Sequence, residues 1–164
     1  MKRNEYFTDD KNRYKKIRRE EQAGGFKCAH CRRWVVINPF IGTANRNHCN
    51  YCLWSKHVDI KKGDRKEDCH GGMEPVGLTF KQEGFGRQGE LMLIHQCAAC
   101  RHFSINRIAA DDSNEEVLVA FHFSCRIGGV LERQLRALGI AWLTEGDEFE
   151  VRTQLFGKPK DGQS

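Results

Sequence analysis

Apolar residues are sparse along the chain and gather in short runs, each of which predicts one element. Residues 9–23, DDKNRYKKIRREEQA, open on acidic positions and continue with good helix formers, so a short helix is expected there. Tyr14 and Ile17 are too few for a core face, and the segment reads as a basic arm ended by Gly24-Gly25. Trp34-Val35-Val36-Ile37 predicts a short strand closed by Asn38-Pro39, with residues 45–50 as loop. LTFKQ (78–82) and GELMLIHQC (89–97) predict two strands separated by the glycine-rich stretch EGFGRQG. Ser113, with Glu116 three positions on, fits a capping box and launches EVLVAFHF as a helix broken by Gly128-Gly129. VLERQLRALGI repeats apolar residues at helical spacing, and Leu131, Leu135, Leu138 and Ile140 are expected to be buried within the chain. AWLTEGDEFEVRTQLF reads as a hairpin turning near Gly146-Asp147.

Hydrophobic residues make up 39% of the 164 positions, below the usual ~45–50%, so burial alone gives a thin core. Eight cysteines supply a second means of holding the fold. The chain has no run of ~18 apolar residues and no apolar stretch near its start like that of a secretory signal. The expected location is therefore the cytoplasm, with no membrane partner. Thiols stay reduced there, so paired cysteines read as metal ligands rather than bridges. The formal charge of +5 hides a gradient: residues 1–27 carry +4, residues 28–110 carry +5 and residues 111–164 carry −4. The basic two thirds suit a polyanion, and the acidic third faces elsewhere.

Cys28-x2-Cys31 and Cys49-x2-Cys52, seventeen residues apart, have the spacing of a closed four-cysteine zinc site. Each tight turn brings two sulfurs to one side, and two facing turns complete a tetrahedron. Cys69, Cys97 and Cys100 remain for a second zinc, which needs a fourth ligand. His57, twelve residues before Cys69, is the expected one, with His70 next and His48, His95 and His102 as alternatives. Cys125 reads as a small buried hydrophobe. An internal repeat supports two modules: CAHCRRWVV (28–36) aligns with CAACRHFSI (97–105).

Arg46-Asn47-His48-Cys49, Cys52, Ser55-Lys56-His57-Val58-Asp59, Gly63-Asp64-Arg65, Cys69, the Cys97 and Cys100 pair and Asn106-Arg107-Ile108-Ala109-Ala110-Asp111-Asp112 follow one another in order. Over roughly residues 26–112 this series resembles the bacterial RNHCP domain family. Asn50 stands where the family name ends in proline, and Arg32 and Arg101 follow the knuckles where zinc ribbons commonly carry glycine. The resemblance implies a small zinc-binding domain and brings no assigned reaction.

The expected architecture is an α+β protein of two zinc-ribbon-like modules built from short antiparallel strands. A basic arm (1–25) precedes a tandem zinc-ribbon domain (26–112), and a small acidic cap of helices and a hairpin (113–164) follows. The expected function is zinc-stabilised RNA binding, with the ribosome as candidate partner, two zinc ions as cofactors and no small-molecule substrate. Arg32, Arg33, Arg46, Lys56, Lys61, Lys62, Arg65, Lys66, Arg101 and Arg107 cluster around the knuckles, where side chains would reach phosphates. Tyr51 and Trp54 are the expected stacking residues, whereas Trp34 and Phe103, equivalent in the repeat, are expected beneath the metals as core. A second expectation is a hydrolase acting on RNA or phosphate esters, assembled from Arg46, Asn47, His48, His57, Asp59, Asp64, Arg107, Asp111 and Asp112. A third is a protein-interaction adaptor working through the acidic cap.

Overall fold

Leu78, Phe80, Leu91 and Leu93 alternate with more polar neighbours, and the chain folds this alternation into a four-stranded sheet. A computed structural model describes residues 15, 19, 23–38, 40, 45–61, 63–84 and 88–159. Strands β3 (Ser55–Lys56), β4 (Gly72–Gln82), β5 (Gln88–Cys97) and β6 (Phe103–Arg107) lie in that order, each antiparallel to its neighbour. The register sets Leu78 against Leu93 and Phe80 against Leu91, so their side chains share a face. A smaller ribbon pairs β1 (Gly25–Lys27) with β2 (Trp34–Val36). The helix expected over residues 9–23 lies outside the described residues, except at Lys15 and Arg19, both helical, and at Ala23, a turn residue whose N–H donates to Arg19 O at 3.0 Å.

Strand β4 starts six residues before the predicted one. Pro75 within it has no N–H to give the ladder, and the register shifts between Pro75 and Gly77, so the strand absorbs the proline as an irregularity. At Gly77 the end of the first helix comes close: a Cβ there would stand 3.0 Å from Ile127 Cδ1 and 3.1 Å from Ser124 Oγ. Ser124, fully buried, donates to Leu78 O and accepts from Leu78 N–H, both at 3.2 Å.

Helix α1 (Asn114–Ser124) begins where the capping pattern places it, with Ser113 Oγ accepting from Glu116 N–H at 3.3 Å. It ends at Ser124 with Cys125 as its cap, before the glycine pair. Helix α2 (Gly129–Ala137) follows. Its Leu135 is fully buried and Leu131 and Ile140 are half-buried, but Leu138, expected inside, is 61% exposed because it lies beyond the helix end. The expected hairpin is instead a 3-10 turn (Glu145–Asp147) running into helix α3 (Glu148–Phe156). Thr144 and Asp147 cap one another, with Thr144 N–H donating to Asp147 Oδ2 at 2.8 Å. Leu143 and Val151 then reach the core from either side of the turn.

One main core results. Leu78, Leu91 and Leu93 from the sheet meet Val117, Ala120 and Phe121 of α1, with Leu143, Val151 and Leu53 completing it. Burial of such side chains contributes about 1.5–3 kcal/mol each. The ribbon has a second cluster whose buried members, among the described residues, are Cys28, Val35 and Cys49. Trp34, expected beneath the metal, is 46% exposed, because strand alternation turns Val35 inward and its neighbours outward. Phe103 is half-buried.

Candidate metal centres

Three short turns carry six of the eight metal-ligand candidates, and they are copies of one another. In the first, Arg32 N–H donates to Cys28 O at 3.0 Å and Cys28 N–H to Arg33 O at 2.9 Å. The second repeats this with Leu53 to Cys49 and Cys49 to Trp54, and the third with Arg101 to Cys97 and Cys97 to His102, all at 2.8–3.0 Å. The residue after each pair takes a left-handed backbone: φ is 66° at Arg32, 59° at Leu53 and 65° at Arg101. Arginine replaces glycine at two of these positions without altering the turn, at the cost of about 1–2 kcal/mol of local strain each. The sequence repeat exposed the first and third copies. The second was hidden because Leu53 stands where the others have arginine, and Leu53 is fully buried in the main core.

These turns gather two clusters of four. Cys28, Cys31, Cys49 and Cys52 form one; His57, Cys69, Cys97 and Cys100 form the other, each with its donor atoms within 4.8 Å of one another. Sulfur separations are 3.7 Å (Cys28–Cys52), 3.5 Å (Cys31–Cys49) and 3.7 Å (Cys69–Cys97). A bonded pair would stand at about 2.05 Å, whereas tetrahedral thiolates at about 2.3 Å from one ion stand about 3.8 Å apart. His57 Nδ1 lies 3.3 Å from Cys100 Sγ. Both clusters therefore fit a tetrahedral ion.

Amide N–H groups point at the sulfurs, Cys31 N–H at Cys28 and Tyr51 N–H at Cys49, both at 3.4 Å. Burial pushes the Cys49 thiol up to about 11 and raises Cys52 as well. At Cys31 burial is outweighed by hydrogen bonds from the Arg33 amide and the neighbouring cysteines, so that thiol is lowered. In the second cluster burial pushes Cys69 up to about 11, while amides of Cys100 and Ala99 overcome burial and lower Cys97. Burial also lowers His57, against a smaller opposite pull from Glu67, so its ring is neutral and able to ligate at pH 7.

The second cluster has a distinct scaffold. His57 N–H donates to Gly71 O at 2.9 Å and His70 N–H returns to His57 O at 3.1 Å, which sets His57 beside Cys69. Glu67 serves both: Oε1 accepts from Cys69 N–H at 3.0 Å and Oε2 faces His57 Nε2 at 3.6 Å. A carboxylate behind a metal-binding histidine orients the ring and raises its basicity. Gly71 packs against the sulfurs, and a Cβ there would meet Cys97 Sγ at 2.7 Å and Cys69 Sγ at 3.4 Å. Cys100 is exposed, whereas Cys28 and Cys49 are buried.

Arg46 requires a correction. Expected to contact phosphate, it is 1% exposed, and its guanidinium reaches Asp111 Oδ1 at 2.6 Å, Asp112 Oδ1 at 2.7 Å and His48 O at 3.0 Å. Asp112, also buried, accepts at Oδ2 from His48 Nε2–H and Ala109 N–H, both at 2.8 Å. Ser113 N–H donates to Asn50 O at 2.9 Å beside it. The Arg46–Cys49 segment is thus clamped to the start of α1, and four of the residues suggested for hydrolysis, Arg46, His48, Asp111 and Asp112, are paired with one another. Asp59 instead accepts from the amides of Gly63 and Arg65 and pairs with Arg65 at 3.0 Å, and Asp64 accepts from Ile60, Lys61 and Lys66. Both aspartates shape the loop.

Arg107 pairs with Glu90 at 2.8 Å. Arg32, Arg33, Tyr51 and Lys61 are exposed, Trp54 and Lys56 are half-buried, and Lys62 lies outside the described residues. Buried His95, one of the alternative ligands, donates from Nε2 to Leu53 O at 2.7 Å and accepts at Nδ1 from Asn106 at 2.9 Å. Burial pushes it down to about 4.

Fold and clusters define a small α+β protein with two four-residue Cys/His sites able to hold metal ions. The RNHCP domain family model matches residues 23–118, and the chain belongs to that family. Comparison with curated proteins and with solved structures finds no match.

Proposed function

We propose that the protein is a cytoplasmic, zinc-stabilised RNA-binding module that works on or near the ribosome. The observation carrying this reading is the pairing of Arg33, its Cζ 4.8 Å from the centroid of the exposed Tyr51 ring. Arg33 and Tyr51 belong to the two turns that supply the first cluster, and exposed Arg32 and Trp34 flank Arg33. A cation and an aromatic face held rigid by one metal need little ordering on binding, which favours phosphate and base contacts. Four thiolates, or three with one imidazole, in tetrahedral disposition select zinc over harder ions.

The test is sedimentation of the tagged chain through a sucrose gradient from cell lysate, with and without nuclease, over a series of salt concentrations. Co-migration with ribosomes that nuclease and salt abolish supports the reading, and Arg32→Glu with Arg33→Glu then shifts the chain toward the top. A chain that stays at the top throughout overturns it. Elemental analysis is expected to find two zinc ions per chain. Exposed Phe123, Phe149 and Phe156 on the acidic helices favour a second reading as a protein-interaction adaptor. That reading predicts co-migration indifferent to nuclease.

A further inference from the structure

Three surface depressions adjoin one another. The first, of about 180 Å³, lies beside the first cluster and is lined by Lys27, His30 and Trp54. It shares Asn47 and Lys56 with a second of about 230 Å³. The second shares His57, His102 and Phe103 with a third, of about 740 Å³, against the second cluster and the end of α2. Depressions with common walls therefore follow one another from one candidate metal centre to the other, and we treat them as one groove.

Its walls carry flat rings in parallel pairs. His30 stacks on Trp54 with centroids 4.2 Å apart and planes 3° from parallel. His102 stacks on His57 at 5.0 Å and 7°. His30 and His102 are exposed. Gly72 lets Trp54 lie close to the strand, since a Cβ there would stand 3.3 Å from the indole. Cations mark the path: exposed Lys27 at one end, Lys56 at the waist and exposed Arg101 at the other. The carboxylates along it are engaged, Asp59 by Arg65 and Glu67 by Cys69 N–H.

We propose that this groove binds an unpaired strand of RNA, bases lying against the His30–Trp54 and His57–His102 pairs and phosphates following Lys27, Lys56 and Arg101. The inference rests on the RNA-binding reading and adds its substrate class and path. Flat faces alternating with cations match the alternation of base and phosphate in a single strand. A duplex keeps its bases stacked inside and offers these rings no face.

The test is fluorescence anisotropy of the full, metal-loaded chain with a short labelled oligouridylate and with a duplex of equal length, at one low salt concentration. The single strand is expected to bind about tenfold tighter than the duplex, one base stacked being enough for that factor. Lys27→Glu and His102→Ala, both at exposed positions, each erase the preference while leaving duplex binding in place. Arg33→Glu weakens both ligands alike. Metal content is measured on every variant, and Lys27→Glu, whose side chain is outside both candidate ligand sets, reads the groove even where His102→Ala sheds an ion. Equal binding of strand and duplex, or a preference that survives both variants, overturns the groove and leaves the RNA reading standing. Failure of both RNAs to bind overturns the two together. Displacement of oligouridylate by polyglutamate at comparable charge concentration marks a site for acidic polypeptide and also overturns the inference.

Discussion

The two clusters are built from the same turn yet sit in opposite surroundings. The first holds together a ribbon whose buried cluster consists of Val35 with two cysteines of the metal set, Cys28 and Cys49. The second hangs on strands β4 and β5, which already belong to the main core, and opens on a groove through exposed Cys100. The same motif therefore does two jobs. In the ribbon it substitutes for a hydrophobic core, and on the sheet it fixes loops that a core already supports.

Metal removal should break the pair apart most strongly. A structural zinc supplies about 10–16 kcal/mol of apparent binding energy, far above what Val35 and Phe26 contribute by burial. Chelation is expected to abolish hydrogen-exchange protection in residues 25–36 while β4, β5 and α1 stay protected, and to draw the second ion first, through Cys100. Gly71→Ala isolates the second centre: the new methyl displaces Cys97 Sγ, metal content drops from two ions to one, and the ribbon stays protected. Loss of protection in α1 on chelation would show that the main core depends on the metals as well.

Asp112→Asn sharpens the comparison from the other side, since this residue ties the first cluster to the main core. Removing one partner from a buried ion pair costs about 3–5 kcal/mol, and Arg46 would stay buried with only the partly exposed Asp111 opposite it. Chemical denaturation should report that loss with both ions bound. A change of less than about 1 kcal/mol would mean that Asp111, partly exposed, carries the pairing alone.

A pH titration separates the centres by a smaller amount. Thiols must lose protons to bind metal, and Cys49 and Cys69, both near 11 without metal, hold theirs at neutral pH. His57, lowered from its ordinary value, arrives neutral and releases none. The first centre has one more thiol to deprotonate, so its affinity should fall more steeply on acidification, by up to about tenfold more per pH unit. Equal slopes in a competition titration with a chromophoric chelator would place a proton on His57 in the apo protein.

Much of this was legible in the sequence, and the failures have definite causes. Cys-x2-Cys spacing is local, so six of the candidate ligands were visible, and His57, chosen for its distance to Cys69, lies in the second cluster. Strands β4 and β5 showed in their alternation. Arg46 misled because its partners Asp111 and Asp112 lie 65 and 66 residues away, beyond any local pattern. A basic residue beside a cysteine looks solvent-facing until such partners are seen. Helix α3 reads as a strand from sequence because FEVRTQLF alternates as well as it cycles at 3.6. The deciding signal was Thr144 with Asp147 three positions on, a capping pair that resembles a turn. Trp34 failed for a simpler reason: period-two geometry lets only one of Trp34 and Val35 point inward, and it is the smaller residue that packs with Cys28 and Cys49.

The smallest effect bears on the turns themselves. Arg32 and Arg101 have the same left-handed backbone and the same hydrogen bonds, and both are exposed. Glycine at either position relieves about 1–2 kcal/mol of local strain but adds freedom to the unfolded chain that offsets part of it. The expected net gain is about 0.5 kcal/mol for Arg32→Gly. Arg101 also donates from its guanidinium to Gln96 Oε1 at 2.8 Å, and Gln96 in turn donates to Gln134 at 3.1 Å on α2. Arg101→Gly therefore gives up a tie between the third turn and the helix, and its net change should be near zero. Thermal melts of the two variants, metal-loaded, measure the difference. If Arg101→Gly gains as much as Arg32→Gly, the Gln96 link adds nothing and the two turns are equivalent in energy as they are in shape.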